Sequence, residues 1–86
     1  MASKTVLDYL ERIKHLYSLI KKERTGTSDE IAVRMHVSRR TVMSYFSELR
    51  SLGAVIKYDK LRNTYYFENS FTLYATFEVK FSSPPD

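Results

Sequence analysis

The chain has 86 residues, of which 43% are hydrophobic and 28% charged, so it is long enough for one folded domain and differs from a disordered tail. It contains no cysteine, which excludes disulfides and cysteine-rich zinc fingers and fits a cytoplasmic location. No apolar run approaches the ~20 residues of a membrane span, and Asp8 and Glu11 interrupt any apolar core of a signal peptide.

The net charge of +4 is unevenly distributed along the chain. Residues 1–53 carry ten Lys/Arg and six Asp/Glu, whereas residues 54–86 carry four of each. A basic excess in one part of the chain is expected of a surface that faces nucleic acid, although many soluble domains have a similar charge.

The first 53 residues show the periodicity of three helices. Over residues 6–23 the helical i, i+3, i+4, i+7 spacing is followed by Val6, Tyr9, Leu10, Ile13, Leu16, Tyr17 and Ile20. Thr27 and Glu30 have the spacing of a capping box, which predicts the start of a short second helix. Ser38 is a predicted N-cap for a third helix over residues 38–52, and Gly53 follows it as a residue suited to a helix end.

From residue 54 onward the period changes from 3.6 to 2. Residues 54–60 and 64–69 are rich in β-branched and aromatic side chains, and residues 61–63 between them predict the loop of a hairpin. Residues 70–81 alternate apolar and polar side chains and predict a further strand. Residues 82–86, with two prolines, predict a flexible tail.

This order of elements predicts an α+β fold, a winged helix-turn-helix, in a single domain over residues 1–81. The helix-turn-helix occupies residues 27–53 and the wing residues 54–70, with an additional C-terminal β-strand over residues 70–81.

The sequence TSDEIAVRMHVSRRTVMSYFSELRSLG at 27–53 resembles the helix-turn-helix of DeoR-type bacterial transcriptional regulators. The continuation GAVIKYDKLRNTYYF at 53–67 resembles the wing of regulators that carry a WYL sensor domain. The resemblance implies a DNA-binding transcriptional regulator, here a stand-alone one without the sensor domain. The sequence departs from the family at Ser44 and Tyr45, where the family has Arg-Asp, so an arginine that binds phosphate is missing.

The outward face of the third helix is the predicted reading surface on double-stranded DNA. A rotation of 100° per residue places Arg40 on the outer face, and on the inner face Val42, Phe46, Leu49 and Gly53. Arg40 is the candidate for reading guanine, with a phosphate contact as the alternative. The predicted DNA-binding residues are Arg34, Ser38, Arg39, Arg40, Thr41, Met43, Ser44, Ser47, Lys57, Lys60, Arg62 and Asn63.

The predicted C-terminal strand has two alternative roles. It either completes the sheet of one subunit or is buried between two subunits, and we favour a homodimer because a small helical core leaves such an apolar strand uncovered. A dimer would bind two half-sites about one helical turn apart. The predicted dimer interface is Leu7, Leu19, Phe71, Leu73, Phe77, Val79 and Phe81.

No catalytic, metal or cofactor site is expected. His15 and His36 are the only histidines and lie far apart in a chain with two glycines, so neither a metal site nor a phosphate-binding loop is predicted. We therefore expect double-stranded DNA and a second copy as partners, no membrane, and a cytoplasmic location on the nucleoid. The alternative is a protein-protein interaction module that does not bind DNA, favoured by the missing arginine, by Glu48 and by the apolar C-terminal strand. RNA binding has no specific support.

Overall fold

Three helices precede a two-stranded hairpin in the computed structural model, which describes residues 2–73, with side chains from residue 6 onward. In chain order they are α1 (Ala2–Lys22), α2 (Ser28–Met35), α3 (Arg39–Ser51), β1 (Ile56–Asp59) and β2 (Thr64–Phe67). The two strands pair antiparallel, with Ile56 opposite Phe67 and Asp59 opposite Thr64. The predicted winged helix-turn-helix is confirmed.

The helices begin at the predicted capping residues. The Thr27 hydroxyl accepts from the N–H of Glu30 and the Glu30 carboxylate accepts from the N–H of Thr27, which completes the capping box of α2. The Ser38 hydroxyl accepts from the N–H of Thr41 at 3.1 Å and caps α3. These bonds satisfy donors that have no partner inside the helix. After α3 the chain turns at Gly53, whose φ of +112° is one that glycine adopts without strain.

The hydrophobic core lies between the three helices and the hairpin. Leu16 and Ile20 of α1 and Phe46 of α3 are completely buried. The Phe46 ring lies 4.6 Å from that of Tyr65, so the hairpin closes the core against α3. The inner stripe predicted for α3 is confirmed at Val42, Phe46 and Leu49, and Tyr45 is buried as well. Gly53 lies after the end of α3 and is exposed. The opposite face of α3 is left in solvent.

The chain after the hairpin differs from the prediction. Residues 70–73 are not in a strand, and residues 74–81 and the predicted tail lie outside the described residues. Phe71 is buried in the core, with its ring centroid 6.0 Å from Tyr17 and 5.3 Å from Phe67. The alternation of apolar residues suggested an extended strand, but these aromatic contacts bury Phe71 without any strand pairing.

Candidate nucleic-acid interface

The outer face of α3 is a shallow, polar surface. Arg40, Met43, Ser44 and Ser47 are all exposed, as the predicted reading surface requires. The Arg40 side chain makes no hydrogen bond or ion pair with another residue in the described part of the chain. Three exposed serines, Ser44, Ser47 and Ser51, keep the remainder of the face low. Such a surface can come close to a partner molecule and presents the Arg40 guanidinium to it.

The N-terminal end of α3 holds two of the predicted contact residues in local bonds. Besides capping the helix, the Ser38 hydroxyl lies 2.9 Å from that of Thr41. The structural role of Ser38 is therefore established by its geometry. Because a hydroxyl can donate one proton and accept more than one, these side chains can still donate to a phosphate.

The side chain of Arg39, the first residue of α3, contacts the start of α2. Its Nε donates to the Ser28 hydroxyl at 3.2 Å and lies 3.8 Å from a carboxylate oxygen of Asp29. The Arg39 and Asp29 side chains are 66% and 77% exposed, so this ion pair is weakened by water and salt. Arg39 can therefore exchange Asp29 for another anion.

Arg34 is bonded to the chain between α1 and α2. Its Nη1 donates to the backbone carbonyl of Arg24 at 2.9 Å, which ties the exposed side of α2 to the chain just after α1. The sequence suggested Arg34 as a phosphate contact because of its charge alone. The structure gives it an internal partner that no local sequence pattern predicts.

The wing divides its predicted contact residues into two groups. Lys57 and Lys60 are exposed, whereas Arg62 lies 2.6 Å from Glu23 and 2.7 Å from Asp59. These two carboxylates raise the pKa of Arg62 by hydrogen bonding and by their charge. The amide nitrogen of Asn63 donates to Glu30 at 3.2 Å. The two lysines thus face solvent, while Arg62 and Asn63 bind residues of the same chain.

Arg50 was not predicted as a site residue, yet it links α3 to the wing. Its Nη2 donates to the backbone carbonyl of Ile56 at 3.3 Å, and its guanidinium lies 5.8 Å from the centroid of the Phe46 ring. A basic residue in the last turn of a helix predicts an interaction with the helix dipole. Only the folded chain shows that Arg50 also reaches β1.

Ser44 stands at the position of the missing family arginine and is exposed, whereas the next residue, Tyr45, belongs to the core. Tyr45 is buried, and its ring packs edge-on against Tyr9 of α1 at 5.8 Å. The neighbouring Glu48 interacts with Tyr9: burial, followed by the charge and hydrogen bond of Glu48, raises the pKa of Tyr9. Glu48 is thus held toward α1 on the flank of the reading surface.

A sequence model of a protein family described as an HTH domain matches residues 12–66, more than half of the chain. The matched region extends from α1 to the second strand of the wing. The chain belongs to the HTH-domain family. Searches of curated proteins and of solved structures find no match. Family membership identifies the helix-turn-helix as a DNA-binding domain, of a kind that typically has no catalytic activity.

The described members of the predicted dimer interface differ in their exposure. Leu7 is 40% exposed on α1, whereas Leu19 and Leu73 are half-buried and Phe71 is buried. Phe77, Val79 and Phe81 lie outside the described residues. Of the described members, Leu7 alone offers a large apolar side chain to a partner.

Among the described residues of the HTH domain, no group of three metal-binding side chains is found. No helix in that part of the chain is long and apolar enough to cross a membrane.

Proposed function

We propose that the chain is a sequence-specific regulator of transcription that binds double-stranded DNA with residues 38–52 in the major groove. The observation that carries this proposal is the outer face of α3, where Arg40 has no partner among the described residues and shares the face with a shallow row of exposed serines. An α-helix fits the major groove, and an arginine fork matches the two acceptors of guanine. The finer resemblance to DeoR-type and WYL-associated regulators supports the same function.

In this proposal the contacts are divided between base edges and phosphates. Arg40 reads a base edge, and Met43, Ser44 and Ser47 approach neighbouring bases. Arg39 leaves Asp29 for a phosphate, since a fully charged phosphate at a helix N-terminus competes well with an exposed carboxylate. Lys57 and Lys60 contact the backbone or the minor groove from the wing. Phosphate contacts give most of the affinity, and Arg40 gives most of the selectivity.

We further propose that the protein acts as a homodimer on the nucleoid. Val6 and Leu7 of α1 are 55% and 40% exposed, although the same helix is fully buried at Leu16 and Ile20. Pairing of two α1 helices at this uncovered end would bury apolar surface and would place two α3 helices on neighbouring half-sites. Phe71, buried within the subunit, is left out of this interface.

Selection from random duplex DNA, followed by the mass of the complex, tests both proposals. We expect a short pseudo-palindromic site bound by two subunits. Charge reversal at Arg39 and Arg40 together should abolish binding without loss of the folded state, because both side chains are exposed. The same reversal at Lys21 and Lys22, which are also exposed but lie on α1, is the matched control and should retain binding. Failure to enrich any sequence would contradict the proposal.

A second candidate function is protein binding without DNA. It is favoured by Leu61 at the tip of the wing and Val33 on α2, which are 98% and 75% exposed. Single exposed apolar residues are common on soluble proteins, so this observation supports protein binding less strongly than the outer face of α3 supports DNA binding. This function is supported if no DNA is enriched and a protein partner is lost when Leu61 is substituted. A partner that stays bound after the substitution would show that Leu61 is not its contact.

A further inference from the structure

One carboxylate oxygen connects the start of α2 to the tip of the wing. Oε1 of Glu30 accepts from the backbone N–H of Thr27 at 2.7 Å and from the side-chain amide of Asn63 at 3.2 Å. The first bond belongs to the capping box, so it holds the carboxylate in place for the second. Gly26 leaves room for this arrangement, because a Cβ atom there would collide with the Glu30 carboxylate.

Asn63 extends the connection into the hairpin. Its φ of +54° places it in the left-handed region, which asparagine tolerates better than most residues. Its side-chain oxygen accepts from the Tyr58 hydroxyl on β1, while its nitrogen donates to Glu30. Both ends of the amide are therefore engaged inside the chain, and a contact with DNA would have to displace one of them.

The neighbouring residues of the loop are held in the same way. One oxygen of Asp59 accepts from the N–H groups of Leu61 at 3.0 Å and Arg62 at 3.2 Å, and its other oxygen binds the Arg62 side chain. Arg62 also binds Glu23, just after the end of α1. The loop is thus fixed internally by Asp59 and tied to the body of the domain at Glu23 and Glu30.

We propose that Glu30, acting through Asn63, is a positioning residue for DNA binding that fixes the wing relative to α3. This inference rests on the proposed DNA-binding function. A wing that is ordered in the free protein does not lose conformational freedom on binding, so its lysines contact the backbone with less entropic penalty. Lys57 and Lys60 are then the wing residues that touch DNA, while Arg62 and Asn63 hold the wing in position.

The test uses Asn63→Gly and Asn63→Asp in the full chain, with Lys60→Gln as the matched control. Glycine keeps the left-handed backbone and removes both side-chain bonds, so N63G should fold. Aspartate places a second carboxylate against Glu30 and should detach the wing more strongly. In the free protein, both variants should speed amide hydrogen exchange at Leu61 and Arg62, and K60Q should leave it unchanged.

On the selected duplex, we expect N63G to weaken binding about two- to tenfold, the effect of losing modest hydrogen bonds. N63D should weaken it further. Hydroxyl-radical protection should disappear from the backbone beside the wing, while protection of the major groove and the preferred sequence stay the same. A general loss of stability would not produce this selective change. Glu30→Gln keeps an oxygen that can accept both bonds, so this variant of the wild-type chain should retain nearly full binding.

The outcomes separate the two proposals. If the wild type binds the duplex and N63D leaves its footprint and affinity unchanged, the positioning role is wrong and the proposed function stands. If the wild type binds no duplex, the proposed function fails and the positioning role fails with it. Unchanged hydrogen exchange in N63D would also overturn the positioning role, whatever the DNA result.

Discussion

The hydroxyl oxygens of Thr25 and Thr64 lie 3.3 Å apart in the interior, although 39 positions of sequence separate them. The Thr25 N–H donates to the Thr64 hydroxyl at 3.1 Å, and the Tyr65 N–H donates to the Thr25 hydroxyl at 2.8 Å. Both threonines are buried, so water cannot replace these bonds. The pair joins β2 to the segment between α1 and α2, and it lies next to the Asn63 contact.

Removing this pair should destabilise the domain. In Thr64→Val the buried Thr25 N–H has no acceptor, and the free energy of unfolding should fall by about 1–3 kcal/mol. Thr72→Val, at an exposed threonine, is the matched control and should change stability little. Urea denaturation measures both. Equal midpoints for the two variants would show that the buried pair does not contribute to stability.

Two serines, the N-cap of α3 and one on its outer face, should separate stability from binding. Ser38→Ala removes the N-cap of α3 and should lower the free energy of unfolding by about 1 kcal/mol. Ser47→Ala, on the exposed outer face, should leave the melting temperature close to that of the wild type and alter the preferred DNA sequence. A large loss of stability in S47A would contradict this assignment of the two serines.

The capping residues could be predicted from the sequence because their bonds are local. Thr27 and Glu30 bond within three residues of each other, as do Ser38 and Thr41. The pairing of Arg62 with Glu23 could not be predicted, because these residues are 39 positions apart and meet only after the hairpin folds back. The sequence alone therefore could not show that Arg62 is paired inside the chain while Lys57 and Lys60 are exposed.

For the C-terminal segment, the sequence predicted burial but not the contacts that produce it. The alternation of apolar and polar residues from Phe71 onward is the pattern of a half-buried strand. This pattern does not indicate which surface the apolar residues pack against. In the structure Phe71 packs on Tyr17 of α1 in the same subunit. The periodicity predicted that Phe71 is buried. It could not predict that Phe71 packs on Tyr17, because the two residues are distant in sequence.

The two cations of the wing loop should differ in their effect on DNA binding. Lys60→Gln should reduce the dependence of log Kd on log salt by about one unit, because one phosphate contact is lost. Arg62→Gln should leave that slope nearly unchanged and lower the melting temperature, since Arg62 is paired with Glu23 and Asp59. Anisotropy titrations at several salt concentrations measure the slope. The opposite ranking would mean that Arg62 leaves its carboxylates to bind DNA.

Stability should fall in acid partly through Glu30 and Asp59. Hydrogen bonds from Thr27 and Asn63 lower the pKa of Glu30 below its ordinary 4.5, and those from Arg62 and Leu61 lower that of Asp59 below 3.8. A carboxylate with a lowered folded pKa binds protons more readily when unfolded. The ionised carboxylate therefore stabilises the fold fully at a pH above the pKa of the unfolded state. This stabilisation is lost as the pH falls through the lower pKa of the folded state.

The variant that checks this pH dependence is Glu30→Gln, which cannot titrate. Between neutral pH and about pH 3, its melting temperature should fall less than that of the wild type. Asp8→Gln, at an exposed carboxylate on α1, is the control and should follow the wild type. Parallel curves for E30Q and the wild type would show that Glu30 does not contribute.

The most direct test of DNA binding is the affinity for the selected duplex at two salt concentrations fourfold apart. Arg39, Lys57 and Lys60 provide about three phosphate contacts per subunit, so binding by one subunit should weaken by about 40-fold between the two concentrations, and binding by a dimer by about the square of that factor. An affinity that does not change with salt would contradict the account.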